Sequence, residues 1–197
     1  MRLCADGWVR PARHVVSPNR DRRPPGCAPT LLVLHSISLP AGEFGGGAIE
    51  ALFTNRLDAS AHPAFRDLEG LRVSAHFLVR RSGELVQFVS VRDRAWHAGL
   101  SRWRGRERCN DFSIGVELEG TDREPFAPGQ YARLIALVAA LRARLPLREV
   151  AAHAEVAPGR KTDPGAGFAW QRWLRALARA GCACNFQERR VNCRHKC

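Results

Sequence analysis

Apolar residues along the chain fall into short runs, separated by turns rich in glycine, proline and charge. TLLVLHS, from Thr30 to Ser36, is almost unbroken apolar chain and suits a buried strand. VSAHFLVR (Val73 to Arg80) and LVQFVSV (Leu85 to Val91) flank the turn RSGE and predict a hairpin. SIGVELEG, from Ser113 to Gly120, predicts a further strand, with Ile114 and Val116 alternating against Gly115 and Glu117. Between Tyr131 and Leu145 the spacing changes: Leu134, Ile135, Leu137, Val138 and Leu141 recur as on a helix, and Pro128 and Gly129 mark its start. IEALFTNRL (Ile49 to Leu57) predicts a short helix, and Phe168 to Ala180 a final amphipathic one. Strands and helices are mixed, so the expected class is α/β, a single domain with helices packed on a central sheet.

The segments outside this pattern set the expected boundaries. Residues 1–29 contain the Pro- and Arg-rich stretch SPNRDRRPPGCAPT and read as an N-terminal surface arm. The domain proper is expected over 30–180, with a Gly-rich loop at Pro40 to Gly47 and the loop APGRKTDPGAG after REVAAHAEV. Residues 181–197 form a basic, cysteine-rich tail, expected as a loosely ordered appendage.

Composition narrows the class. At 197 residues, 45% hydrophobic and 25% charged, the chain suits one compact domain and not wholesale disorder. No apolar run approaches the ~20 residues needed to span a bilayer. The start, MRLCADGWVRPARH, lacks an apolar stretch of signal-peptide length, so a cytoplasmic location is expected. Seven cysteines, an odd number, are then expected as reduced thiols. The net charge of +12 favours an anionic partner, either nucleic acid or a small anionic substrate. The charge is scattered over many arginines, so it does not choose between them.

Candidate chemistry starts with seven histidines: His14, His35, His62, His76, His97, His153 and His195. A lone histidine is more often a surface or satisfied core residue than a ligand. His35 closes the most apolar strand, His153 follows an apolar segment, and Asp163 lies in the Gly/Pro loop just beyond. Two histidines and a carboxylate are a common catalytic zinc set with a fourth position open, but spacing alone does not bring them together. Glu117 is an acid inside an apolar strand. Buried, it would be costly unless paired, and it would suit a general base with a raised pKa; on an edge strand it would simply face solvent. Lys161, close to Asp163 in sequence, is either an oxyanion-stabilising cation or one more exposed lysine.

HSISLPAGEFGGG, LRVSAHFLVRRSGELVQFV, RAWHAG, GRERCNDFSIGVELEGTD and HAEVAPGRKTDPG occur in this order. Together they resemble the amidase-2 and peptidoglycan-recognition-protein superfamily, from about Gly7 to Trp173. The resemblance implies a central mixed β-sheet flanked by helices. It implies a zinc-dependent N-acetylmuramoyl-L-alanine amidase of cytoplasmic cell-wall recycling, acting on an anhydromuropeptide. The bond cut joins the lactyl group of a muramyl sugar to the first alanine of its peptide stem. Carried onto this chain, it makes His35, His153 and Asp163 the Zn2+ ligands, Glu117 the catalytic acid/base and Lys161 the transition-state stabiliser. Arg72 and Arg108 match positions that meet the carboxylates of the stem, and Ala95 and Trp96 fall where the family lines its groove. His76 and His97 are expected as structural or groove-lining residues, not ligands. Ser36 stands where family members carry Asn after the first ligand. Its shorter side chain offers one hydroxyl to substrate, so a contact there would be weaker or water-mediated. The tail CACNFQERRVNCRHKC has no counterpart in the family pattern. Neither nucleic acid nor membrane is expected as a partner, and nothing demands more than a monomer. The main rival, a recognition module that binds without cutting, needs neither the three ligands nor Glu117.

Overall fold

A computed structural model describes residues 1–182. Four short strands open the chain: β1 (Arg2–Leu3), β2 (Val9–Arg10), β3 (Arg13–His14) and β4 (Arg20–Arg22). They are followed by β5 (Leu31–Ile37), α1 (Ala48–Phe53), β6 (Phe77–Val79), β7 (Leu85–Gln87) and β8 (Asp93–Ala95). Next come β9 (Arg102–Trp103), β10 (Arg106–Glu107) and β11 (Ser113–Glu119). The last elements are α2 (Pro128–Arg142), β12 (Glu149–Ala152), α3 (His153–Val156) and α4 (Trp170–Arg179).

Six strands form one mixed sheet in the order β12-β5-β11-β6-β7-β3. All neighbours are parallel except β6 and β7, the expected hairpin, which pair antiparallel. β5 and β11 are interior strands, and this explains their composition. A parallel strand covered on both faces has no solvent side and so reads as a near-continuous apolar run. Leu31, Leu32, Val33 and Leu34 are each fully buried. Truncating such a leucine to alanine costs about 2–5 kcal/mol.

Period two along β11 sorts its side chains. Ile114, Val116 and Leu118 enter the main core with Leu134, Leu137, Val138 and Leu141 of α2 and Trp173 and Leu177 of α4. Ser113, Gly115, Glu117 and Glu119 alternate with them on the opposite face. The start of α2 is tied to the sheet by buried Gln130. Its amide donates to the carbonyls of Val79 and Glu119, and its Oε1 accepts from Ala127 N–H. The helix therefore begins at Pro128, ahead of its first apolar residue.

Residues 1–29 are less peripheral than an arm. β3 extends the sheet beside β7, and Leu3 and Val9 are buried in the main core. The Arg23 guanidinium donates to the carbonyls of Asn110, Asp111 and Ser113. The tail expected at 181–197 falls almost wholly outside the described residues. Among the described residues, no helix is long and apolar enough to cross a membrane.

Candidate metal centre and active site

The site gathers at the C-terminal ends of three neighbouring parallel strands, where ligands of open α/β sheets bind. β5 carries His35. β12, on one side of it, runs directly into α3, whose first residue is His153. β11, on the other side, carries Glu117 in register with His35. Lateral neighbours in a parallel pair share a face, so Glu117 and His35 project to the same side. Asp163 comes from the loop after α3, which is held back on that helix by Ala154 N–H donating to the Asp163 carbonyl at 3.0 Å.

Three of the residues expected as ligands converge. His35 Nδ1 and His153 Nδ1 are 2.9 Å apart, and Asp163 Oδ2 lies 3.0 Å from His153 Nδ1 and 3.3 Å from His35 Nδ1. Ligand atoms ~2.0–2.1 Å from a tetrahedral zinc ion lie ~3.3 Å from one another, close to these spacings. The outward nitrogens have partners of their own. His35 Nε2 meets His97 Nδ1 at 2.9 Å, and His97 Nε2 meets Ser113 Oγ at 3.0 Å. His153 Nε2 faces the Ala98 carbonyl at 3.5 Å. With protons on the three Nε2 atoms, each of these is a donated hydrogen bond, and both ligand Nδ1 atoms turn lone pairs towards the carboxylate. Such a cluster of acceptors is repulsive unless a proton or cation lies among them. The residues present therefore fit a divalent metal.

The electrostatics agree with that use. Burial pushes the His35 imidazole down to about 4 despite the Asp163 carboxylate beside it, so it is neutral and ready to bind. Burial also lowers His97 well below the usual histidine range, and the imidazoles around it add to the effect. For Asp163, burial acts to raise the pKa, but the His153 and His35 rings beside it outweigh burial and hold the carboxyl below the usual carboxylate range.

Glu117 is buried, and its Oε2 has no hydrogen-bond partner. Burial first, and then the charge of Asp163, holds its carboxyl well above the usual carboxylate range, while Lys161 pulls the other way. The solvent-facing alternative for Glu117 is thereby removed. Lys161 is exposed, and its charge acts on both His35 and Glu117.

The residues expected to meet substrate are more dispersed. Arg108 lines an open groove of about 430 Å³ with Gly99, Leu100, Arg102, Pro158 and Arg160. Its backbone is left-handed, at φ 61°, and its side chain is exposed, with Asp111 Oδ2 at 3.4 Å. Arg72 is exposed in the segment before β6. Trp96 is half-buried and exchanges backbone and hydroxyl hydrogen bonds with Ser74. Ala95 is fully buried within the second core cluster, beside Phe88 and Val89, so its methyl group lies in the core and not in a groove. The Ser36 hydroxyl donates to Asp122 Oδ1 at 2.9 Å and is engaged within the protein. His76 is buried, and its Nδ1 accepts from Gly115 N–H, a structural contact.

His97, expected as a structural or groove-lining residue, works with two contributors that had no signal in the sequence, Gly115 and Arg160. His97 bonds the outer nitrogen of His35, and Gly115 makes room for it: a Cβ there would lie 2.4 Å from the His97 ring. Arg160 donates to the carbonyls of Ala98 and Leu100 and so secures the chain just after His97.

Two imidazoles, a carboxylate and a desolvated acid above parallel strands are the equipment of a hydrolase, and the chain belongs to the N-acetylmuramoyl-L-alanine amidase family, whose sequence profile matches residues 25–166. Within it the chain is 54% identical over 173 residues to the 1,6-anhydro-N-acetylmuramyl-L-alanine amidase AmpD of Escherichia coli (strain K12), a match covering 87% of this chain and 94% of that relative. A crystal structure of a selenomethionine derivative of AmpD matches with a TM-score of 0.87 at 54% identity, over 90% of this chain and 99% of that one. The E. coli amidase AmiD, in complex with anhydro-N-acetylmuramic acid-L-Ala-D-γ-Glu-L-Lys, matches with a TM-score of 0.56 at 32% identity, over 81% of this chain and 61% of that chain.

Proposed function

We propose that the chain hydrolyses the amide between the lactyl group of N-acetyl(anhydro)muramic acid and L-alanine in peptidoglycan fragments, as a zinc enzyme of cytoplasmic cell-wall recycling. The observation that carries this is the convergence of His35, His153 and Asp163 beside the buried acid Glu117. The anhydromuramyl substrate in the names of AmpD and in the AmiD complex supports the choice of bond.

His35, His153 and Asp163 would hold the zinc, which supplies Lewis-acid polarisation of the carbonyl and acidifies a water near neutral pH. Glu117 accepts the proton of the attacking water as the carbon–oxygen bond forms. The Lys161 ammonium stabilises the negative charge that builds on the carbonyl oxygen. Glu117 then returns the proton to the alanine nitrogen as the carbon–nitrogen bond breaks. The products are the free sugar carboxylate and the free peptide amine. Glu117 suits both steps, because a carboxyl whose pKa lies above the usual carboxylate range is a stronger base for the proton of water than an ordinary one and can still return it to the leaving nitrogen. Arg72 and Arg108 would hold the carboxylates of the peptide stem, and the excess positive charge would favour an anionic substrate.

The test is zinc content measured together with peptide release from an anhydromuropeptide, before chelation, after chelation and after zinc is returned. About one zinc per chain, with cleavage lost and then restored, is the expected result. Binding without cleavage by zinc-loaded protein would replace the amidase with a recognition module.

A further inference from the structure

β11 contributes to the site beyond Glu117. Just past its C-terminal end, Asp122 accepts from the Ser36 hydroxyl through Oδ1 at 2.9 Å and from the Thr162 hydroxyl through Oδ2. Ser36 directly follows the candidate ligand His35, and Thr162 stands between Lys161 and the candidate ligand Asp163. One carboxylate thus joins the end of β5 to the loop that carries the third ligand and the cation.

The main chain of Asp122 reinforces the junction. Its carbonyl accepts from Gly167 N–H at 2.9 Å. Gly165, at φ +70°, approaches so closely that a Cβ there would lie 2.2 Å from the Asp122 oxygen and 2.4 Å from its Cα. The loop is therefore docked on Asp122 through both Thr162 and the glycines beyond Asp163. Between these contacts, at Asp163 itself, it is tied to α3 by Ala154 N–H, which donates to the Asp163 carbonyl. That link fixes Asp163 relative to His153 but leaves its distance from His35 to be set elsewhere, and the contacts of Asp122 reach both sides of that gap.

We propose that Asp122 is a positioning residue, a latch between the His35 strand and the Lys161–Asp163 loop that sets the spacing of the ligand set. This rests on the metal-centre reading above. Groups that orient metal ligands without touching the ion typically account for ~10–100-fold in affinity or activity.

The test compares zinc affinity of the full chain, by competition with a chelator, in wild type, Asp122→Asn, Thr162→Val, Ser36→Ala and Asp163→Ala. The visible spectrum of the cobalt(II)-substituted proteins reports ligand geometry. Asp122→Asn should weaken zinc ~10–100-fold and shift the cobalt bands. Thr162→Val should weaken it by a smaller factor, and Asp122→Asn/Thr162→Val should be no weaker than Asp122→Asn alone by more than ~2-fold, because both act through one contact. Thr162 is exposed and Ser36 half-exposed, so loss of either hydroxyl leaves the fold intact and decides the matter should Asp122→Asn fail to fold. Zinc affinity within ~2-fold of wild type, with unchanged cobalt spectra, in all three latch variants would overturn the latch and leave the metal centre standing. A wild-type chain that binds no zinc, or an Asp163→Ala variant that binds it as wild type does, would overturn the metal centre and the latch with it.

Discussion

Gly115→Ala adds one methyl group where an imidazole already lies. The new Cβ would sit 2.4 Å from Cγ and 2.7 Å from Cδ2 and Nδ1 of His97. Favourable carbon contacts lie at about 3.5–4.0 Å, so the ring or the strand must retreat by ~1 Å. β11 is held between β5 and β6, so the ring is the part that moves. A shift of that size takes the 2.9 Å contact to His35 and the 3.0 Å contact to Ser113 beyond hydrogen-bond range. Two separable losses follow. Overpacking costs about 1–3 kcal/mol, and at ~2–4 °C per kcal/mol for a chain of this size the midpoint of thermal unfolding falls by ~2–12 °C. Freed from His97, the His35 ring loses its fixed orientation, and zinc affinity falls ~10–100-fold. Thermal unfolding of metal-free and zinc-loaded protein measures both. The metal-free midpoint reports the packing loss, and the shrinkage of the zinc-induced gain reports the affinity loss. A lowered midpoint with an undiminished zinc gain would show that His97 only fills space. An unchanged metal-free midpoint would refute the close approach of ring and strand.

Four further outcomes are expected. Glu117→Gln should bind zinc normally and lose ~10²–10⁴-fold in kcat, measured by peptide release; near-normal turnover would assign the proton transfer to another group. In metal-free protein the same variant should gain stability on wild type as pH rises, because the folded pKa of Glu117 lies above its usual 4.5 and the wild type loses stability as pH climbs towards it. Denaturation midpoints at pH 5 and pH 8 check this, and a gap that stays constant refutes it. Buried His35, His76 and His97 all have lowered pKa values, with His35 near 4, so the unfolded chain takes up protons first as pH falls below the ordinary value of 6.5. In the Glu117→Gln background, which removes the opposing contribution of that acid, metal-free stability should therefore decline from about pH 6.5 towards pH 4, and a flat profile between pH 7 and pH 5 would count against their burial as neutral rings. Arg72→Ala and Arg108→Ala should lose more kcat/KM on full-length peptide stems than on short ones, and equal losses would remove them from the stem site.

The clearest failure of sequence reasoning was the N-terminal segment. Leu3 and Val9 are single apolar residues among arginines and prolines, and strands of two or three residues are too short for a period to emerge. Their burial depends on β3 reaching the edge of a sheet built from later parts of the chain. Ala95 departs from expectation in the same direction. The family resemblance placed it on the groove, but its methyl group is packed beneath the surface.

What the residues determine by themselves is local. Unbroken short apolar runs suit buried strands, recurrence at helical spacing makes α2, and glycine and proline mark where each element stops. Motif order is enough to identify the family and, through it, the candidate ligands. The tertiary structure alone decides who faces whom. Glu117 could point either way until β11 paired in register with β5 and shared a face with His35. His35 and His153 are 118 positions apart, and His97 is 62 from His35, yet their ring nitrogens meet at 2.9 Å. Strand register and loop docking create such contacts, and neither leaves a periodic trace, because each depends on residues distant in the chain that only the folded sheet brings together.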